Sequence, residues 1–358
     1  MKFKKLVTGL LTSAMLITML AACGGGSSST PAPSKAPDAS QAPTAESQAP
    51  SGEAYKVAML LTGYINDAGW CQSAYEGLKL AEEEFGIEPA YTEAIPQPDF
   101  EAVMRDYADQ GYDMVICVGN EFSDAALAVA PSFPDVKFAV MNGNNAAEPN
   151  VGAYRFNTPE SGFLAGALAA MYSESGTVGV VAGSTSPHIK DAAEAFSVGA
   201  KYINPDANVL IGYTETMTDI AKGKEMGMAF IEQGADVLCA NANSASLGVI
   251  DAAKEKGIKH IGYISDQYDV APETVMVSLI QSNPFMIRSI VEAGVNGTFE
   301  PKLNLFGMKE GALYLSDFHG NDSKLTADQL AKIDEIINGI KDGSLKEAGI
   351  LPKSSFEK

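Results

Sequence analysis

The chain of 358 residues is poor in the side chains that enzymes most often use for chemistry. It has three histidines, His188, His260 and His319, far apart and without H-x-x-x-H or Cys–His spacing. A zinc site therefore has no support, and no metal ligand set is predicted. No G-x-S-x-G elbow occurs; the nearest stretch, Ser244-Ala245-Ser246-Leu247-Gly248, lacks the first glycine. Gly179 to Gly183 follows a strand-like run but has neither G-x-G-x-x-G nor a P-loop lysine. A Ser–His–Asp set drawn from distant segments stays open, but no catalytic constellation is expected. Basic residues are scarce as well: 25 Lys and Arg against 45 Asp and Glu leave a formal charge of −20. That balance repels nucleic acid and phosphate-rich surfaces and says little about a neutral ligand.

The N-terminus carries a different kind of signal. Lys2, Lys4 and Lys5 precede an uncharged apolar run, Leu6 to Leu20, which is shorter than the ~20 residues needed to span a bilayer. Leu20-Ala21-Ala22-Cys23 then places small residues directly before a cysteine. The pattern predicts a bacterial lipoprotein signal over residues 1–22, cleaved before a lipid-modified Cys23. The alternative is an ordinary secretory signal with an incidental cysteine. Residues 24–50 contain no aromatic and no large aliphatic side chain, so they cannot offset the entropy of ordering. A disordered linker is predicted over 23–53, with a coil-like reach of roughly 30 Å. On this reading the rest of the chain lies outside the cytoplasm, anchored to the cell membrane. The three further cysteines, Cys71, Cys117 and Cys239, do not make a disulfide framework; Cys117 and Cys239 sit in apolar runs as buried thiols.

From Tyr55 onward short Val- and Ile-rich runs alternate with helical patterns. Strands are predicted at 56–61, 114–118, 137–141, 178–181, 209–213, 237–240 and 260–263. Helices are predicted at 72–85, 100–110, 162–172, 191–202, 221–233 and 247–256, with a further helical segment at 325–346 packing back on one lobe. Regular alternation of this kind argues for parallel sheets covered by helices. An internal echo supports two halves: Gln110-Gly111-Tyr112-Asp113-Met114-Val115 precedes Asn120, and Gln233-Gly234-Ala235-Asp236-Val237-Leu238 precedes Asn243 at the same offset. Two βα halves predict two lobes, with a ligand cleft lined by the loops that follow the strands.

Those loops are rich in amides and aromatics. They include Gly63 to Trp70 with Asn66 and Asp67, Gly119-Asn120-Glu121-Phe122, Asn142 to Asn145, Asn241-Ala242-Asn243 and Ser265-Asp266-Gln267-Tyr268. A neutral polar ligand with a flat ring suits this mixture. Asn, Asp and Gly are also plain turn formers, and Asp67 could cap a helix without touching a ligand. Trp70, the only tryptophan, allows two readings: a stacking aromatic at the cleft, or a core residue on the stripe shared with Ala74, Leu78 and Phe85.

At these residues the chain resembles the basic membrane protein family of ABC-transporter solute-binding lipoproteins, whose best-known members are purine nucleoside receptors. The likeness is carried by Asn66-Asp67-Ala68-Gly69-Trp70 through Gly77, by Glu160-Ser161-Gly162-Phe163-Leu164-Ala165-Gly166, by Asp219 with Lys222-Gly223-Lys224, by Gln233 to Val237 and by Ile261 to Gln267. It implies a type I periplasmic-binding-protein fold: two Rossmann-like lobes closing over a ligand that passes to an ABC permease and its ATPase. Lobe 1 would comprise 54–157 plus 279–307, and lobe 2 158–278 plus 308–358, with crossings near Asn157, Ser278 and Gly307. Carried over by position, the two stacking groups fall on Trp70 and Met217, and Asp67 and Asn120 fall among the polar contacts. Ile264 and Gln281 stand where nucleoside receptors of this kind have an Asp and a Lys that engage the ribose. An apolar Ile cannot accept bonds from sugar hydroxyls, so the resemblance implies a purine base such as adenine before a nucleoside. No cofactor is expected. The competing readings are a flavin binder of the same fold, a sensory binding lipoprotein, and an extracellular nucleoside hydrolase, which needs an acid–base or metal set that the sequence does not offer.

Overall fold

The computed structural model describes residues 54–66 and 70–357. The signal segment, Cys23, the linker and Asp67 lie outside the described residues. Residues 54 onward belong to one compact unit.

The first part of this unit runs β1 (Lys56–Leu61), α1 (Trp70–Phe85), β2 (Glu88–Thr92), α2 (Phe100–Asp109), β3 (Met114–Val118), α3 (Ser123–Val129), β4 (Lys137–Met141) and β5 (Val151–Phe156). The second runs α4 (Thr158–Tyr172), β6 (Thr177–Ala182), α5 (Pro187–Ile203), β7 (Asn208–Tyr213), α6 (Ile220–Glu232), β8 (Val237–Asn241), α7 (Ala245–Lys256), β9 (Lys259–Ile264) and β10 (Val275–Gln281). The chain then returns through α8 (Asn283–Val295) and β11 (Leu303–Phe306), goes back to β12 (Leu313–Leu315), and ends in α9 (Ala327–Lys341) and α10 (Ser344–Glu347).

Two six-stranded sheets result, in the orders β11-β5-β4-β3-β1-β2 and β12-β10-β9-β8-β6-β7. All pairings are parallel except β10 with β12. Alternation along a strand decides which helix layer each side chain meets. Val57, Met59 and Leu61 of β1 join the cluster that holds Ala74 and Leu78 of α1, whereas Ala58 and Leu60 join Phe100 and Met104 of α2. In the second sheet Val178, Val180 and Ala182 face α4 and α5, while Val181 faces Phe230 of α6 and Val249 of α7. Helix α4 is apolar almost all round and almost wholly buried, as that composition requires. It lies so close to α5 that a Cβ on Gly166 would stand 1.9 Å from the Phe196 carbonyl oxygen, so only glycine fits there.

The echoed segments do the same work twice. Gly111 and Gly234 take positive φ just past a helix. The Asp113 carboxylate accepts the amide of Lys56 at the start of β1 (2.7 Å), and Asp236 accepts the amides of Glu174 and Ser175 just before β6 (2.6 and 2.7 Å).

Seven elements depart from expectation. Strands β2, β5 and β10 and the short β11 and β12 were not predicted, nor were helices α3 and α8. β2 is an edge strand with a Glu and a Pro, and β5 carries a buried Arg155, so neither reads as an apolar run. The second sheet keeps the chain to Gln281, past Ser278, and the crossing falls at Ser282, where α8 begins its packing against α1. Ser278 is a strand residue whose hydroxyl accepts the Gln267 amide (3.1 Å) and fills the space beside Gly262. The C-terminal helix α9 packs on α4.

Candidate functional site

The chain leaves the first sheet at the carboxyl ends of β5 and β11, and leaves the second at the carboxyl end of β10. β12 starts opposite Gln281, at that same edge. The crossings are joined to each other: the Asn157 amide donates to Phe306 O (2.9 Å) and the Ser282 amide to Ala312 O (2.9 Å). They therefore tie together the carboxyl edges of the two sheets, and the loops at those edges carry the predicted site residues.

On the first sheet, the loop after β1 is pinned by Glu93, whose carboxylate accepts the Ile65 amide (2.9 Å). Asn66 is exposed on this loop. Trp70 opens α1 half-buried: its ring packs on the main core, and its Nε1 lies 3.5 Å from the carbonyl oxygen of Val118 at the end of β3. Asn120 is exposed, and its Oδ1 accepts a bond from Ser123 Oγ (3.2 Å). Phe122 corrects an expectation. Its side chain is fully buried, with the ring centroid 3.9 Å from that of Phe100 beneath α2, so it anchors the loop instead of facing the cleft.

Asn142 follows β4 at φ 53°, a conformation that asparagine tolerates. Its backbone is held on both sides, the amide donating to Tyr154 O (2.7 Å) and the carbonyl accepting from Arg155 Nη1 (2.6 Å). Arg155 was not anticipated. The same Nη1 also reaches Gly143 O (3.1 Å) and Asn144 Oδ1 (2.6 Å), while the Phe356 ring covers the guanidinium at 3.8 Å. Burial pulls the Arg155 pKa down to about 10, opposed by the Asp191 charge. His188, at the start of α5, has its pKa pulled down to about 4 by burial and then by Arg155. It is therefore neutral near pH 7, with Nδ1 3.3 Å from Arg155 Nη2 and free to accept.

On the second sheet, Met217 is half-buried in the loop after β7. Its sulfur occupies the space a side chain at Gly183 would need, a Cβ there lying 2.2 Å away. Asn241 ends β8, buried, and its carbonyl accepts the Gly183 amide (2.9 Å). Ile264 ends β9, half-buried, at φ 76°. For a β-branched residue this is a strained conformation, costing of order 1–3 kcal/mol. Asp266 spends its carboxylate on its own surroundings: Oδ1 accepts the Tyr268 amide (3.1 Å) and Oδ2 pairs with His319 Nε2 (2.8 Å), whose ring stacks on Tyr268 at 4.0 Å. Gln281 ends β10 and is hydrogen-bonded to the buried Tyr263 hydroxyl, which also lies 2.5 Å from Ser161 Oγ. Asp219 caps α6, accepting the Lys222 amide (3.1 Å).

The edges thus offer a half-exposed indole, a thioether, an isoleucine and several amides, with no lysine or arginine among the predicted set. Among the described residues no group of three or more His, Cys, Asp or Glu could hold a metal ion. No helix among them is long and apolar enough to cross a membrane.

The family model described as ABC transporter substrate-binding protein PnrA-like, the Bmp family, matches residues 54–344. The chain belongs to this family. Its sheet orders are those of a type I periplasmic-binding-protein fold, and a crystal structure of an ABC transporter system solute-binding protein from Aeropyrum pernix K1 superposes with a TM-score of 0.68 at 23% identity, covering 81% of this chain and 92% of that one. Two relatives show how far function ranges over this family. The transcriptional activator protein med of Bacillus subtilis is 28% identical over 305 residues, 85% of this chain and 92% of its own length. A purine-binding protein of Brucella abortus is 28% identical over 270 residues, 74% of this chain and 76% of its own. As a Bmp-family protein the chain is an ABC transporter substrate-binding protein, and the Aeropyrum pernix structure is that of a solute-binding protein.

Proposed function

We propose that this protein binds a purine base, or secondarily a nucleoside, between the carboxyl edges of its two sheets and delivers it to a membrane permease. The observation that carries the reading is the pairing of a half-exposed Trp70 on one edge with an uncharged, strained Ile264 and a Gln281 on the other. An indole face gains about 1–3 kcal/mol from stacking on a base. Ile264 offers a sugar hydroxyl nothing to bond to, and an unpaired buried hydroxyl costs about 1–3 kcal/mol. The purine-binding relative supports the ligand class. Met217 supplies the opposite face of the ring, and Asn120, Asn142, Asn66 and Asp67 the in-plane partners. Asn241, buried, and Asp266, bound to His319, act from behind the contact surface.

Residues 1–22 serve as the signal and Cys23 as the lipid anchor, with 23–53 as tether. The lobes comprise 54–157 with the α8–β11 return, and 158–281 with the C-terminal segment. Native mass spectrometry of the purified protein, followed by calorimetric titration with adenine, guanine, adenosine, guanosine and riboflavin, tests the ligand. Tight base binding with weaker nucleoside binding is the expected result; no binding of any purine would end the proposal. Release of free base from inosine or adenosine, followed by chromatography, would replace it with hydrolysis. Incorporation of a labelled fatty acid that is lost in Cys23→Ser tests the anchor.

A further inference from the structure

Glu160, the first residue of the Glu160 to Gly166 motif, has no part in the site above, yet it occupies an unusual place. Glu160 lies in the first turn of α4, 8% exposed, in a helix otherwise almost free of charge. Its carboxylate reaches two different crossings between the sheets. Oε1 accepts from Asn157 Nδ2 (2.7 Å), on the crossing after β5, and Oε2 accepts the Met308 amide (2.7 Å), on the crossing after β11. Gly307 leaves room for this: a Cβ there would lie 2.4 Å from Glu160 Oε2. The Gly307 amide is in turn taken by Glu310 Oε2 (2.8 Å).

We propose that Glu160 is the hinge clamp of this protein, a positioning residue that sets the relative orientation of the two sheets by holding two crossings on one carboxylate. Both its partners are donors, which the ionised form accepts with nothing left over, whereas the acid form adds an O–H that needs an acceptor of its own. The Asn157 amide supplies the alternative: its Oδ1 is buried without a partner, and a turn of that amide would present it to a protonated Glu160. The clamp therefore has two bonded states related by one proton taken from solvent.

Burial raises the Glu160 pKa to about 7, with Glu310 pushing the same way, while the Met308 and Asn157 bonds and the Lys346 charge oppose it. Lys346 is itself paired with Glu357 (2.5 Å). A carboxyl held above its ordinary value favours the arrangement that buries it as pH falls through 7. Burial outweighs the two bonds that the ionised carboxylate accepts, so above pH 7 the charged form, although bonded, gains from conformers in which the crossings part and water reaches it.

The effect on affinity rests on the receptor reading, but the hinge does not, so the test uses ligand-free protein. Small-angle scattering from pH 5.5 to 8.5 is expected to show a more extended pair-distance distribution above pH 7 for the natural chain. Glu160→Gln, uncharged and of the same shape, is expected to abolish that shift; Asn157→Ala, which removes one of the two ties, is expected to displace its midpoint. With a purine that binds, Glu160→Gln should change affinity by roughly three- to thirtyfold without contact to the ligand. An identical pH-dependent shift in Glu160→Gln, or no shift in the natural chain, would overturn the clamp. A missing ligand alone would count against the receptor reading and leave the scattering result standing.

Discussion

The two sheets can be laid on each other strand for strand, β1 on β6, β3 on β8 and β4 on β9, and the positions where they differ are instructive. Lys137 of β4 pairs with Met114, and Lys259 of β9 with Val237, so Phe138 corresponds to His260 and Asn142 to Ile264. Asn142 and Ile264 both take positive φ, at 53° and 76°. The turn after this strand requires the left-handed region in both lobes. The first lobe meets the requirement with asparagine, which visits it routinely, and the second with isoleucine, which does not. Phe138 and His260 are both fully buried, but the phenyl ring needs no partner, and both imidazole nitrogens lack one. In both pairs the second lobe carries the residue less suited to the fold, and one of those residues stands at the proposed ligand site.

The largest effect should come from the buried pair. Burial depresses the His260 pKa from its ordinary 6.5 to about 3. The unfolded chain then binds a proton that the folded one refuses, so stability contributed by the neutral form is complete above pH 6.5 and falls as pH drops towards 3. His260→Phe should remove about 2–3 kcal/mol of acid destabilisation between pH 7 and 4.5. Urea melts of both chains at the two pH values measure this directly. Equal losses in both would mean that His260 is not the group responsible.

Next come the two faces of the proposed ligand. Trp70→Ala should weaken base binding by about 1–3 kcal/mol, if the indole stacks on it. Unchanged affinity together with a lower melting temperature would reassign Trp70 to the core, where its ring already packs in part. The backbone pair gives a smaller effect. Ile264→Asn, which copies the first lobe, should raise stability by about 1 kcal/mol at an unchanged urea m-value. Ile264→Asp should move preference from bases towards nucleosides in competition titrations. The smallest change expected is from Met217→Ala, about 0.5 kcal/mol in base affinity by calorimetry, since a thioether gains less from a ring than an indole does.

Much of this was legible in the sequence, and the reason differs by element. Strands buried on both faces, such as Met114–Val118 and Lys137–Met141, read as short apolar runs and were placed to the residue. Edge strand β2 and the Arg-bearing β5 were not, because polar residues break the run. Phe122 sat in a loop with the right composition, but only packing shows that its ring points beneath α2. Arg155 and His188 are 33 residues apart and meet only through the fold. Glu160 opens a segment that carries the family likeness, but the predicted helix begins only at 162, and a lone carboxylate before an apolar run cannot be told from a solvated first-turn acid by periodicity alone.

Composition and order along the chain were enough to determine the class: parallel α/β halves, an excess of acidic residues, and motifs that name the family. These are local properties, set by side-chain period, turn chemistry and charge, and they need no knowledge of distant neighbours. The tertiary structure decided which side chains meet across the crossings. It placed Glu160 between Asn157 and Met308, Asp266 against His319, and Ile264 in a left-handed turn. Such contacts depend on where separate strands end in space, and no window of sequence contains that information.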